Sequence, residues 1–310
     1  MMQKLVGIDI GGTKTRVAVV AVDLEEYTII RKTVENTDLG KLAKQIKRTI
    51  DGERGIENIS ICAPGPMNAK AGILLNPPNL DVKNFKIVKE VEREFGAKAS
   101  LINDCAAAVV AERFLDNKRN LKNIVYVTLS TGIGAGVILD GKLVWGKDGN
   151  AHEVGHMTVD FNSTLRCNCG AYGHWEAYAG GNGIPRYAKQ LLETEWKDAH
   201  SILRGRKITA KYLFESYRLD RVSAEIVDRI SRINAIMVAN MINAYDPELV
   251  RLGGSIMLNN REILMDGIRK RTALHTINRM PKIEVTRLGD DAGFLGAAYW
   301  KYAEGIGEEI

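Results

Sequence analysis

Proline is scarce in this sequence, 7 residues in 310, against 30 glycines. That balance suits an α/β protein with tight functional turns and speaks against a low-complexity chain. No apolar run reaches the roughly 18–20 residues a bilayer span requires, so no membrane partner is expected. A secretory leader is not expected either. Met1-Met2-Gln3-Lys4 runs straight into an apolar strand-like segment that already carries Asp9 and Gly11, and a cytoplasmic location is expected. Excess charge is small, +5 from 43 basic and 38 acidic residues. The most basic stretch, Arg204-Gly205-Arg206-Lys207, is short and has no interleaved aromatic residues to serve as stacking platforms, so nucleic acid is not an expected partner. Cysteine is limited to Cys62, Cys105, Cys167 and Cys169. The last two are one residue apart, too close for a comfortable disulfide but suited to sharing a metal. A 45% hydrophobic content excludes a disordered chain, and the length points to two domains or one large one.

Strand and helix signals alternate through the first third. Leu5–Ile10 is a buried-type apolar run, and Arg16–Val22 and Thr28–Val34 are β-branched runs. Helical spacing follows at Gly40–Ile50, a strand at Asn58–Cys62 that stops at Pro64-Gly65-Pro66, a charged amphipathic helix at Ile87–Phe95, a strand at Ala99–Ile102 and an apolar helix at Ala106–Leu115. The polar break Asn117-Lys118-Arg119-Asn120 is the first credible boundary. A strand at Ile124–Leu129 and a hairpin over Ala135–Val144 around Asp140-Gly141 restart the pattern. From Trp175 to Tyr245 the chain reads as mostly helical, with Ser223–Ala244 the longest amphipathic stretch. A strand at Leu249–Leu252, a helix, a strand at Ile283–Leu288 and a small-residue helix at Phe294–Tyr302 close it. The expected class is α/β with two similar lobes, over 1–117 and 118–293, and a C-terminal helix at 294–310 returning to the first.

Several motifs have chemical potential. In Asp9-Ile10-Gly11-Gly12-Thr13-Lys14 the glycines allow backbone N–H groups to approach an anion, Thr13 adds a hydroxyl, and Asp9 could face a hydrated Mg²⁺. This is not a Walker loop, since GxxxxGK[ST] is absent and a strand follows. A plain hairpin turn with an exposed Asp explains it equally well. A second such turn, Thr131-Gly132-Ile133-Gly134, and the Gly253-Gly254-Ser255 turn after a third strand weigh against folding as the whole explanation. Asn103-Asp104 sits between strand and helix, where Asn and Asp are favoured caps. The C-terminal end of a strand is also where α/β folds place catalytic groups, so both readings stand. The most specific local signal is His156-x10-Cys167-x-Cys169-x4-His174, two imidazoles and two thiolates with the composition of a closed structural Zn²⁺ site. Glu153 and Glu176 flank it, where they could accept hydrogen bonds from sugar hydroxyls. Glu153-x-x-His156 is not HExxH, and closed ligation argues against a zinc hydrolase.

Taken in order, these motifs resemble the ROK family (repressor, open reading frame, kinase) of the sugar kinase/Hsp70/actin superfamily. The match runs through Asp9-x-Gly-Gly-Thr-Lys14, Pro64-Gly65-Pro66, Asn103-Asp104-Cys105-Ala106 and Ser130-Thr131-Gly132-x-Gly134-x-Gly136. It continues with Glu153-x-Gly-His156, Cys167-x-Cys169-Gly170-x-x-Gly173-His174-x-Glu176 and Leu252-Gly253-Gly254-Ser255, covering nearly the whole chain. The resemblance implies two ribonuclease-H-like, actin-like ATPase lobes with a nucleotide/sugar cleft between them. It implies an ATP-dependent kinase acting on the 6-hydroxyl of a hexose or N-acetylhexosamine, such as glucose, N-acetylmannosamine or N-acetylglucosamine. Asp104 would be the general base. Asn79, Asn103, Glu153, His156 and Glu176 would hold the sugar, and His156, Cys167, Cys169 and His174 would hold zinc. Gly11, Gly12, Thr13, Lys14, Thr131, Gly132 and Gly134 would cradle ATP phosphates with Mg²⁺ near Asp9, and Gly253 and Gly254 would approach the adenosine. A homodimer is also implied.

The chain departs from the family at two positions. His174 stands where the family usually has a third cysteine, and His152 stands where it tends to have glycine. The rival expectation is a non-catalytic sugar-sensing regulator of the same family. Such regulators carry a DNA-binding segment of about 60–80 residues ahead of the first phosphate motif, which here begins at Asp9.

Overall fold

The computed structural model describes residues 3–23, 26–115, 118–151 and 153–305. Asn117 of the polar break, His152, and residues 306–310 of the C-terminal segment lie outside them. Contacts divide the chain into two compact units. The first combines residues 1–126, 135–152 and 286–310, and the second combines 127–134 and 153–285.

The first unit begins with β1 (Gln3–Ile10), β2 (Lys14–Val22), β3 (Tyr27–Asn36), α1 (Leu42–Ile50), β4 (Asn58–Ala63), the two-residue strands β5 (Met67–Asn68) and β6 (Ile73–Leu74), α2 (Ile87–Phe95), β7 (Lys98–Asn103) and α3 (Asp104–Leu115). Its sheet has the order β3-β2-β1-β4-β7. The first three strands form an antiparallel meander, while β1, β4 and β7 run parallel. Both faces are covered, which is why β1, β2 and β4 read as apolar runs rather than alternating strands. Val6, Ile8, Ile10, Val17, Val19, Ile59 and Ile61 point to the face packed by α1 and α2. Leu5, Ala18, Val20, Cys62 and Ile102 point to the other face, packed by α3 and the C-terminal helix. The period of two is visible strand by strand.

Next come β8 (Ile124–Leu129), β9 (Ile133–Leu139) and β10 (Lys142–Leu143), and then α4 (Trp175–Ala179), α5 (Ile184–Glu193), α6 (Ala210–Glu215) and α7 (Arg221–Tyr245). The chain closes with β11 (Leu249–Gly253), α8 (Ser255–Asn259), α9 (Arg261–Thr272), β12 (Lys282–Val285) and α10 (Ala292–Gly305). The second sheet has the order β10-β9-β8-β11-β12. Helix α7 starts where Asp220 accepts the Ser223 N–H at 2.9 Å and its hydroxyl at 2.7 Å, and it ends at Asp246 in the left-handed region. Strand β12 stops three residues before the expected Leu288. The Thr286 hydroxyl accepts the Leu288 N–H at 3.0 Å and donates to Glu112, which turns the chain out of the sheet. Among the described residues, no helix is long and apolar enough to cross a membrane.

Helix α10 lies against α3, and the contact depends on Gly296. A Cβ there would overlap the carbonyl of Ala107 in α3. Gly296→Ala should therefore lower unfolding stability by about 2–4 kcal/mol, measured by urea denaturation, because neither backbone can yield without opening a core that includes Phe114, Phe294 and Tyr299.

Candidate active site

Parallel pairing sets the candidate residues of the first unit side by side. Asp9 pairs with Cys62 across β1–β4, and Ala63 pairs with Asn103 across β4–β7. The C-terminal ends of three parallel strands therefore deliver Asp9, Cys62 and Asn103 to one edge, the position at which open α/β sheets bind ligands. Asn103 is buried, and its Oδ1 accepts the N–H groups of Cys105 at 2.8 Å and Ala106 at 3.3 Å. It is thus the cap of α3. That leaves only its Nδ2 amide to donate to a ligand. Asp104 forms the first residue of the helix, and its carboxylate accepts the neighbouring Cys105 N–H at 2.8 Å. Burial raises the Asp104 pKa above the usual aspartate value.

Asp9 is also shifted, to about 6, chiefly by burial. The nearby Asp104 charge adds to the rise and Arg16 opposes it. Arg16 reaches Asp9 at 3.2 Å and Asp290 at 3.1 Å, and the Cys62 thiol lies 3.6 Å from Asp9. Arg16 lies outside the Asp9–Lys14 motif, yet the hairpin register about Gly11-Gly12 places it directly opposite Asp9. At the hairpin tip, the Gly11 N–H donates to the Lys14 carbonyl at 2.9 Å, and the Thr37 hydroxyl donates to the Gly11 carbonyl at 2.6 Å. Gly12 and Thr13 are exposed there, and Lys14 donates to Asn36 at 2.7 Å. Asn79 is brought against this turn: a Cβ on Gly12 would stand 2.9 Å from that of Asn79.

In the second unit the turn at Thr131-Gly132 is held from behind. The Gly181 N–H donates to the Ser130 carbonyl at 2.8 Å, the Asn182 N–H donates to that of Thr131 at 3.1 Å, and the Ser130 N–H donates to that of Gly132 at 2.9 Å. The Gly180-Gly181 pair supplies this close support, and it lies outside the motifs read from the sequence. Glu176 completes it. Its Oε2 accepts the Ile133 N–H at 3.0 Å, and its Oε1 is 4.0 Å from Cys167 Sγ. One buried carboxylate therefore touches both the Gly/Thr turn and the cysteine cluster. Gly254 has φ +84, and a Cβ there would stand 2.5 Å from the Leu129 carbonyl oxygen. The Ser255 hydroxyl is 3.1 Å from that of Ser130, so the Gly253-Gly254 turn and the Thr131 turn adjoin.

His156, Cys167, Cys169 and His174 converge, each offering one ligand atom, with all four atoms within 4.8 Å of one another. The separations are 3.4 Å between His156 Nδ1 and His174 Nδ1, 3.7 Å from Cys167 Sγ to His156 Nδ1, and 3.3 Å from Cys169 Sγ to His174 Nδ1. Around a tetrahedral Zn²⁺ the edges would be about 3.3 Å for N–N, about 3.6 Å for S–N and about 3.8 Å for S–S. The donor set fits one such ion. The tight loop depends on Gly173, whose φ is +72 and whose Cβ would overlap the Asp160 carbonyl. The other ring nitrogen of His156 faces Glu153 Oε2 at 3.6 Å.

The Gly/Thr turns, the Asn-Asp junction and the His/Cys cluster define the class, and the chain belongs to the ROK family, whose model matches residues 5–304. The α/β fold is that of ROK sugar kinases, an actin-like ATPase fold. The chain is 35% identical to a glucokinase of Pyrobaculum calidifontis, covering 97% of this chain and 96% of the relative. It is 29% identical to an N-acetylmannosamine kinase of Haemophilus influenzae, covering 96% and 95%. A ROK family glucokinase of Streptomyces griseus, solved in complex with glucose and AMPPNP, superposes with a TM-score of 0.79 at 29% identity, covering 96% of this chain and 98% of that one.

Removing Glu176 leaves the buried Ile133 N–H without an acceptor, a loss of about 1–3 kcal/mol. Glu176→Ala should therefore raise amide hydrogen exchange at Ile133 at least tenfold while leaving the β11 amides unchanged, as followed by exchange mass spectrometry.

Proposed function

We propose that the chain is an ATP-dependent sugar kinase that phosphorylates the 6-hydroxyl of a hexose, with glucose as the first candidate. The observation that carries this reading is the division of labour at the β7–α3 junction. Asn103 caps the helix with two accepted N–H groups, and the adjoining carboxylate of Asp104, which shares the Cys105 N–H, has the raised pKa of a base that can take a proton. The similarity to a glucokinase over nearly the full length of both chains supports the substrate class.

In this mechanism the sugar O6 attacks the γ-phosphorus of ATP. The new O–P bond forms as the bond to the β-phosphate oxygen breaks, the hydroxyl proton passes to Asp104, and ADP departs. A base whose pKa is raised by burial holds that proton better than an ordinary aspartate. Little covalent work remains for the protein beyond positioning and charge stabilisation. Gly11, Gly12, Thr13 and Lys14 on one turn, and Thr131, Gly132 and Gly134 on the other, are assigned to ATP phosphates, and Gly253 and Gly254 to the adenosine. Asn79, Asn103, Glu153, His156 and Glu176 are assigned to sugar hydroxyls. A single carboxylate, Asp9, suits Mg²⁺, which keeps most of its waters and neutralises phosphate charge when bound. His156, Cys167, Cys169 and His174 would hold Zn²⁺ in a closed set, with the structural role of fixing the loop that carries Glu153 and Glu176.

A coupled ADP-release assay with glucose, mannose, fructose, N-acetylglucosamine, N-acetylmannosamine and N-acetylgalactosamine tests the reading. Turnover should be fastest on glucose. Turnover only on N-acetylmannosamine would move the substrate to that of the Haemophilus relative, and silence on all six would contradict the kinase assignment. Asp104→Asn should lower kcat by about 10²–10⁴-fold while sugar affinity changes less than about twofold. Metal analysis should find one zinc per chain, with a marked loss in His174→Ala. Unchanged zinc in that variant would remove His174 from the ligand set.

A further inference from the structure

The first unit has a concavity lined by none of the residues assigned above. It encloses about 690 Å³, a volume typical of small-molecule sites. Its lining includes Ala99, Ser100 and Leu101 of β7, the edge strand of the first sheet. Trp145 and Trp300 also line it as an aromatic pair, with ring centroids 5.6 Å apart. Trp300 is 7% exposed, so most of its surface is spent on packing.

The charges around this cavity are unevenly committed. Glu92 accepts the Ala99 N–H at 3.2 Å, which closes part of the strand edge. Glu304 pairs with Lys301 at 2.6 Å, and the Lys301 ammonium lies 4.0 Å from the Trp300 ring centroid. Both acids are thus engaged. Lys70, on the β5–β6 turn, and Lys89, on α2, are exposed and have no acidic partner among the described residues. An aromatic wall beside two uncommitted ammonium groups suits an anion with a ring-bearing body.

We propose that this cavity binds a phosphate monoester of a ring-bearing metabolite, specifically a hexose 6-phosphate, with the phosphate on Lys70 and Lys89 and the ring against Trp145. The choice of sugar rests on the kinase reading, because hexose 6-phosphate is the product that reaction releases. The site lies on the strand that delivers the base: β7 runs from Ala99–Leu101 in the cavity lining to Asn103, immediately before Asp104.

The test is isothermal titration of the full chain with glucose 6-phosphate in the presence of saturating glucose and AMPPNP. One equivalent should bind. The Lys70→Ala/Lys89→Ala variant should bind at least tenfold more weakly, with its kcat on sugar unchanged because neither lysine belongs to the catalytic machinery. AMP, with a nucleoside in place of the sugar, should bind more weakly. AMP binding more tightly with the same dependence on the two lysines would keep the phosphate-monoester site and exchange the sugar for a nucleoside. Inorganic phosphate binding as tightly as glucose 6-phosphate, no binding of either monoester, or binding indifferent to the two lysines would overturn the proposal. Because the readout is binding, it is separable from turnover. Lysine-dependent binding in a chain inactive on every sugar would contradict the kinase reading and keep the cavity, and active enzyme without such binding would do the reverse.

Discussion

The side chain of Asn103 accepts two N–H groups from the first turn of α3, and much of the site depends on that arrangement. A helix starting directly from a strand leaves unsatisfied N–H groups that need an acceptor. Were Asp104 the cap, its carboxylate would be committed to them and its pKa held down. With Asn103 in that role, a neutral amide accepts two of those N–H groups, and the Asp104 carboxylate, which shares the Cys105 N–H, keeps a pKa raised by burial. The same burial raises both Asp104 and Asp9, so the edge of the parallel strands carries two carboxyls that bind protons more readily than exposed aspartates.

The second unit shows a comparable economy in Glu176. Its position between His174 and the rest of α4 sets it beside the His/Cys loop, and its carboxylate crosses to the Ile133 N–H. Trp175, fully buried, donates its indole N–H to Asn234 of α7 at 2.8 Å, which anchors the short helix to the longest one. The His/Cys cluster, a candidate sugar ligand and a Gly/Thr turn are therefore parts of one packed region. An ion in the cluster would stabilise more than its own loop.

Much of this was legible in the sequence because the signals were local. The apolar runs of β1, β2, β4 and β8, the helix at Ile87–Phe95 and the long helix α7 lie where the periodicity places them. The His156, Cys167, Cys169 and His174 set converges as the spacing suggests. What remained hidden depended on register or on distant partners. Spacing could not say which of Asn103 and Asp104 caps α3, since both are good caps. Arg16 acquires its meaning only from the hairpin pairing that sets it opposite Asp9. The β5–β6 hairpin has strands of two residues, too short for alternation to register. Trp145 and Trp300 meet only because α10 returns to the first sheet after the whole of the second unit.

The most direct test of the central claim, that Asp104 takes the proton from the sugar hydroxyl, is the pH dependence of kcat in the wild type and in the residual activity of Asp104→Asn. The base works only when ionised, so activity must fall as pH drops through its pKa. Because burial raises that pKa, the fall should come at higher pH than an ordinary aspartate would give. The account predicts that Asp104→Asn removes one ionisation from this acidic limb and leaves the step that belongs to Asp9, at about 6. An acidic limb of unchanged steepness and position in the variant would assign the proton to another group and contradict the account.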